Sequence, residues 1–252
     1  MREWIGGRNP VYELLRAGRR HAFQLVLAQG VQEKGRLRDI LRLCEARNIP
    51  VESASRSRLD SLVPNHQGVA LEVNQYPYVA LADILDNSAK KGEQALILIL
   101  DTLQDPQNLA TLLRTAEVVG VHGVLLPLRH TATVTPAVVN ASSGASEHLL
   151  IAQANLAQAM GTLKENDLWT VGLEGSGEAH PPSQINLDGS LALVVGSEGQ
   201  GMRPLVRSSC DLLLRLPMRG HIDSLNAAVA GSIALYLAWQ ARGFPNNRFT
   251  RS

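Results

Sequence analysis

Hydrophobic positions along the chain fall into two periods that take turns. Residues 23–27, 51–54 and 68–74 predict short strands. Between them Leu37, Ile40, Leu41 and Cys44 recur at helical spacing, which predicts a helix over 33–47, and a shorter helix follows over 56–63. Pro77 interrupts the pattern, and a helix predicted over 81–91 runs out in the polar stretch KKGEQ, so residues 76–94 read as a linker between a part over 1–75 and a part over 95–252. From residue 95 the alternation is more regular. Residues 95–101 (ALILILD) are apolar without polar alternation, as in a strand covered on both faces. Helices are predicted over 108–119, 135–147, 156–164 and 224–241, and strands over 123–127, 149–154, 169–173, 191–196 and 212–217. Strand and helix in that rotation predict an α/β fold with a mostly parallel sheet and helices on both faces. The tail, 242–252, is polar, carries three Arg and is expected to be mobile.

Composition sharpens the picture only in places. Apolar residues make up 45% and charged residues 19%, enough for a packed core; aromatics are 4%, so Leu, Ala and Val must fill it. The most apolar long stretch, 225–239, is fifteen residues long and interrupted by Asn226 and Ser232. A bilayer span needs ~20, so a buried helix is expected and no membrane association. No apolar run follows the first charges, and Cys44 and Cys210 lie far apart, which suits a cytoplasmic setting without disulfides. His66, His122, His148 and His221 lack metal-ligand spacing, and no metal is expected. Net charge is +1, but it divides unevenly: residues 1–80 hold 12 Lys/Arg against 8 Asp/Glu, and 81–252 hold 12 against 15. Eleven of the first twelve cations are Arg, the side chain suited to planar recognition of phosphate, which makes nucleic acid a candidate partner.

Three loops at strand ends, where α/β sheets gather ligands, could carry chemistry. The first is Asp101–Asn108, entering a helix that holds Arg114; Asn108 sits where an N-cap is expected. Arg114 lies beside the apolar stripe of Leu109, Leu112, Leu113 and Ala116, so its guanidinium is expected half-buried on an anion or carbonyl, with a surface pair to Glu117 as the plainer alternative. The second is Gly196-Ser-Glu198-Gly199-Gln-Gly201. Its spacing is GxxGxG, neither the dinucleotide fingerprint nor a P-loop, which disfavours an oxidoreductase. Glu198 is open to two readings, a solvated turn residue or a directed acceptor. The third is Leu216-Pro-Met218 followed by Ser224-Leu225-Asn226, where Ser224 reads as the N-cap of the last helix and Asn226 falls in its first turn. An amide buried there without partners would cost about 1–3 kcal/mol.

Together these clusters resemble the three signature motifs of the SpoU (TrmH-like) RNA ribose 2′-O-methyltransferases of the SPOUT superfamily: Asp-Pro-Gln-Asn108-Leu through Arg114-Thr-Ala, then Val-Val-Gly196-Ser-Glu198-Gly-Gln-Gly201-Met, then Leu216-Pro-Met218 through Ser224-Leu225-Asn226-Ala-Ala-Val-Ala. Many members carry Val-Ser after the last Asn where this chain has Ala-Ala; a packing change is expected. Residues 1–75, with Gly7-Arg8-Asn-Pro-Val-Tyr near the start and the closing His66-Gln-Gly, look like the small ribosomal-protein-like α/β domain that binds RNA in many members. The resemblance implies a trefoil knot in the carboxyl-terminal part and a homodimer through the knot and last helix. It implies S-adenosyl-L-methionine held by main-chain groups near Gly196, Leu216, Met218 and Leu225. It implies Arg114 as the central catalytic residue, as base or as orienting group, positioned by Asn108, Glu198, Ser224 and Asn226. The implied reaction is 2′-O-methylation of a ribose, most simply of a guanosine in large-subunit ribosomal RNA. A transfer-RNA methyltransferase and a catalytically silent RNA-binding protein are the alternatives.

Overall fold

The computed structural model describes residues 2–246; the last six residues of the tail expected to be mobile lie outside the described residues. In chain order the elements are β1 (Arg2–Gly6), α1 (Arg8–Ala17), β2 (Ala22–Ala28), α2 (Arg36–Ala46), β3 (Val51–Ala54), α3 (Arg56–Leu62), β4 (Val69–Asn74) and α4 (Leu81–Lys91). There follow β5 (Leu96–Leu100), α5 (Pro106–Val119), β6 (Gly123–Pro127), α6 (Pro136–Ala141), a 3-10 turn (Ala145–His148), β7 (Ile151–Ala154) and α7 (Leu156–Glu165). Then come β8 (Trp169–Leu173), a 3-10 turn (Pro182–Gln184), β9 (Leu191–Val195), α8 (Pro204–Ser208), β10 (Leu212–Leu214) and α9 (Ala227–Ala241). The chain forms two compact units, one of residues 1–77 with 133–148, the other of 78–132 with the chain from 149 on.

The first unit is built on a four-stranded sheet in the order β1-β4-β2-β3. β4 runs antiparallel to β1 and β2, and only β2 and β3 are parallel, so the alternation in this part does not produce a parallel sheet. Its core is Leu25, Val26, Leu71 and Val73 from the strands, with Val11, Leu14, Leu37 and Ile40 from the helices, each at 0–1% exposure. The helix expected over 135–147 is broken. Ser143 and Gly144 both take left-handed backbone, at φ 56° and 86°. A side chain at Gly144 would meet Glu13 Cβ at 2.7 Å, so glycine lets the turn lie against α1. This segment is anchored by a buried pair: Arg20 Nε stands 3.1 Å from Glu147 Oε2 while Arg20 Nη1 donates to Glu3 at 2.9 Å. Burial pushes the Glu147 carboxyl up, against the opposing pull of Arg20 and Arg19.

The second unit has a six-stranded sheet in the order β10-β8-β9-β5-β6-β7, parallel throughout. β5 and β9 are central and buried along their whole length, which is why ALILIL shows no alternation. Ile84 of α4 sits in this core beside Ile97 and Leu125. The order reverses at β5, flanked by β6 on one side and β9 on the other. The loops leaving the carboxyl ends of β5, β9 and β10 are the three singled out above. The start of the tail is pinned rather than loose: Arg242 donates to the carbonyls of Gln94, Ala95 and Gly189 at 2.8, 2.9 and 2.7 Å. No helix among the described residues is long and apolar enough to cross a membrane.

Asp211 ties β10 to β8. It accepts from the N–H and hydroxyl of Thr170 at 2.9 and 2.7 Å and from Lys164 Nζ at 2.7 Å. Burial alone would raise this carboxyl, but the bonds from Lys164 and Thr170 outweigh it and hold it below the usual range. A depressed folded value adds stability above the unfolded pKa of about 4 that disappears as pH falls through the folded value. Asp211→Asn is therefore expected to cost about 1 kcal/mol at pH 7 and progressively less as the pH falls below about 4, read from urea unfolding at pH 7 and at about pH 3. Equal losses at the two pH values would contradict the assignment.

Candidate active site

The three loops meet through side-chain amides. Asp105, not Asn108, caps α5: its carboxylate accepts from the Gln107 N–H at 3.0 Å, with Pro106 opening the helix. Asn108 thus lies inside the first turn, 8% exposed, with its amide free for other partners. It donates through Nδ2 to Glu198 Oε1 at 3.0 Å and accepts through Oδ1 from Asn226 Nδ2 at 3.1 Å. Asn226 donates to the same Glu198 oxygen. Asn226 is also the N-cap of α9, accepting from the N–H groups of Ala228 and Val229 at 2.9 and 3.1 Å. The cap expected at Ser224 is therefore two residues further on, and the polar amide expected to need partners has them at both ends. Glu198 is the directed acceptor of the two readings.

The second loop is shaped by glycine. Ser197 and Gly201 exchange main-chain hydrogen bonds at 3.0 Å each way, and Gly199 and Gly201 hold φ at 81° and 68°. Its hairpin closes onto Gly196, where an added Cβ would overlap the main chain of Gly201 and Met202. Beside the loop is a cavity of about 520 Å³. Gly196, Leu216, Met218 and Leu225 line it, and so do Glu198, Ser224 and Asn226. Its walls mix apolar side chains with main chain, and among the described residues no main-chain hydrogen bond involves 216–225. Those donors and acceptors, together with the apolar wall, suit a ligand that is part flat ring and part polar chain.

Arg114 is not bonded to this group. It is exposed on α5, and among the described residues it has no hydrogen bond or ion pair, so neither the half-buried guanidinium nor the pair to Glu117 forms. The reason is angular: Leu109, Leu112, Leu113 and Ala116 lie at the middle of the buried face at 0% exposure, and position 114 falls about 150° round the helix from their centre rather than beside them. Sequence reasoning missed Glu174, which follows β8 and lines the cavity, held by Arg207 through two bonds of 2.7 and 2.8 Å. Those bonds, with Ser176, hold its carboxyl below the usual range against partial burial. A charge directly after an apolar strand was the available signal. The thiol of Cys44 is pushed up to about 11, chiefly by burial, which leaves it protonated and inert.

The chain matches the SpoU rRNA Methylase family over residues 95–236 and the description RNA 2′-O ribose methyltransferase substrate binding over 4–79. Among curated relatives, a Bacillus subtilis (strain 168) protein named for the TrmH family of tRNA/rRNA methyltransferases, YacO, is 38% identical over 244 residues, 95% of this chain and 96% of its own. A Staphylococcus aureus (strain MSSA476) protein named for the same family is 40% identical over 240 residues, 94% and 96% of the two chains. Among solved structures, the SpoU methyltransferase AviRb from Streptomyces viridochromogenes in complex with AdoMet superposes with a TM-score of 0.80 at 22% identity, covering 96% of this chain and 91% of the other. An AdoMet-bound rRNA methyltransferase from Sinorhizobium meliloti gives 0.78 at 23% identity, with 95% and 87% covered. The fold is that of the α/β RNA methyltransferases it superposes on. The chain belongs to the SpoU methylase family.

Proposed function

We propose that the protein transfers a methyl group from S-adenosyl-L-methionine to a ribose 2′-hydroxyl of RNA, with a guanosine of large-subunit ribosomal RNA as the target. The observation that carries this reading is the clasp of Asn108, Glu198 and Asn226, which draws all three loops to the rim of one cavity. The AdoMet bound by structural relatives supports the donor, and the cavity wall fits it. When bound, the donor supplies an electrophilic methyl on a sulfonium. Main-chain groups at Gly196, Leu216, Met218 and Leu225 hold its adenosine and methionine parts. The glycine loop lets the backbone approach closely. Arg114 offers five donors in a planar fork, and we assign it the ribose hydroxyl and the adjacent phosphate. Among the described residues no side chain pairs with it, which leaves those donors available. Ser224 and the clasp set the walls against which the ribose is placed. Holding hydroxyl and methyl in line is itself a large part of such a rate.

We assign RNA gripping to residues 1–75 and the chemistry to 95–252; of the stretch read as a linker over 76–94, α4 packs into the core of the second unit through Ile84. We also propose a carboxyl-terminal trefoil knot, which family membership supports, and a cytoplasmic homodimer. Val229, Ile233 and Tyr236 form an apolar stripe on α9 at 41–45% exposure, the kind of face a second subunit covers.

The test is to incubate the protein with labelled S-adenosyl-L-methionine and undermethylated ribosomal or transfer RNA and map the label. Methyl on a ribose of large-subunit ribosomal RNA is expected. Label only on transfer RNA would move the target to that class, a reading the names of the relatives also carry. Donor binding without transfer to either RNA would leave a silent RNA-binding protein. Replacing the exposed Arg36, Arg38 and Arg42 of α2 is expected to weaken RNA binding and flatten its salt dependence, by about one unit of slope for each phosphate no longer gripped. An unchanged slope would remove α2 from the gripping surface.

A further inference from the structure

The loop beside the cavity is closed by one residue that is not part of it. Asp101, fully buried at the end of β5, donates its N–H to the carbonyl of Val195 at 2.8 Å, the last residue before the loop departs. Its carboxylate takes the first residues after the loop returns: Oδ2 accepts from the Arg203 N–H at 2.7 Å and Oδ1 from Arg203 Nε at 2.7 Å. Arg203 is the N-cap position of α8. At the far end of that helix Arg207 grips Glu174 on the cavity wall, and also Glu178 at 2.7 Å. One short helix is therefore strapped at both ends by arginine–carboxylate forks, one beside β5 and one beside β8.

We infer that Asp101 and Arg203 are positioning residues for donor binding, and that they fix the shape of the 196–202 loop rather than touch the ligand. The inference rests on the donor site proposed above. A buried carboxylate is stable only with charge-assisted partners, so Asp101 gives the loop one closed geometry instead of several. The Arg203 side chain is about half exposed, at 47%, and makes no other hydrogen bond among the described residues, so truncating it removes the charged partner of Asp101 and leaves that carboxylate the Arg203 N–H alone.

The experiment is calorimetric titration of the whole chain with S-adenosyl-L-methionine, paired with melting temperatures. Arg203→Ala is expected to weaken donor binding about tenfold, with Arg203→Lys recovering part of it through its charge. In a transfer assay the donor KM should rise while kcat stays within about twofold, because the loop still closes when donor is saturating. Asp101→Asn should weaken binding as well, and adding it to Arg203→Ala should cost less than the sum of the two. Parental affinity in Arg203→Ala, at whatever melting temperature, would overturn the inference, and so would a fall in kcat with an unchanged KM. Absence of binding heat in the parent chain would instead defeat the donor site itself.

Discussion

Replacing Arg114 with Ala is expected to reduce methyl transfer by about 10³-fold or more while leaving donor affinity within about twofold of the parent. The split follows from where the side chain stands. Arg114 does not line the cavity assigned to the donor, so on that assignment the donor loses nothing it touches. It has no bonded partner among the described residues and lies outside the buried face of α5, so the fold loses nothing either. What remains is the assigned role toward the ribose hydroxyl and phosphate. Arg114→Lys keeps a charge but not the planar fork, and should recover only a minor part of the rate. Single-turnover transfer to undermethylated ribosomal RNA, with calorimetry for the donor, separates the two quantities. A rate near that of the parent would remove Arg114 from the chemistry. Loss of donor binding with residual transfer would reassign it to the cofactor.

What could be read from the sequence follows from how local each signal is. ALILIL announces a central strand because burial on both faces is written in every residue of it. Asn108, Glu198 and Asn226 stand out because amides and acids are out of place among Gly, Ala and Leu. The caps sit elsewhere than expected, by three residues at α5 and two at α9, because Asp, Ser and Asn all cap well and only the tertiary pairing decides which one is left free to do so. β1 carries no clear signal, whereas α1 is legible in Val11, Leu14 and Leu15 at helical spacing. β1 is five residues long, and α1 starts without a side-chain cap, from a Gly7 with φ of 89°. α8, at five residues, is too short for a period to show. The clasp of Asp101 and Arg203 joins positions 102 residues apart, and neither side chain signals the other. The half-buried Arg114 expected beside the apolar stripe fails because the helical period puts position 114 nearly opposite that stripe.

Gly196→Ala is expected to abolish measurable donor binding and to destabilise the protein by about 3 kcal/mol or more. Four glycines make the contrast. At Gly199 and Gly201 an added methyl meets open space, and the penalty is only that of a left-handed backbone, about 1–2 kcal/mol. At Gly231 of α9 the nearest atom is Leu112 Cδ2 at 2.7 Å, the far end of a flexible side chain. At Gly196 the obstacle is main chain: the carbonyl carbon and oxygen of Gly201 and the nitrogen of Met202. They cannot swing aside as a rotamer does. The Ser197–Gly201 bridge fixes the hairpin, and Asp101 holds its departure at Val195 and its return at Arg203. To admit one methyl, the loop must break that bridge or pull Arg203 off a buried carboxylate, and either movement displaces the wall that faces the donor. Gly30→Ala, with the same change in composition, a left-handed backbone and open space for the added methyl but no place in the cavity wall, is the control: its melting temperature should fall modestly and its donor affinity should match the parent. If Gly196→Ala bound S-adenosyl-L-methionine as the parent does, the loop would not be a rigid cradle, and the donor would have to be held by the 216–225 segment alone.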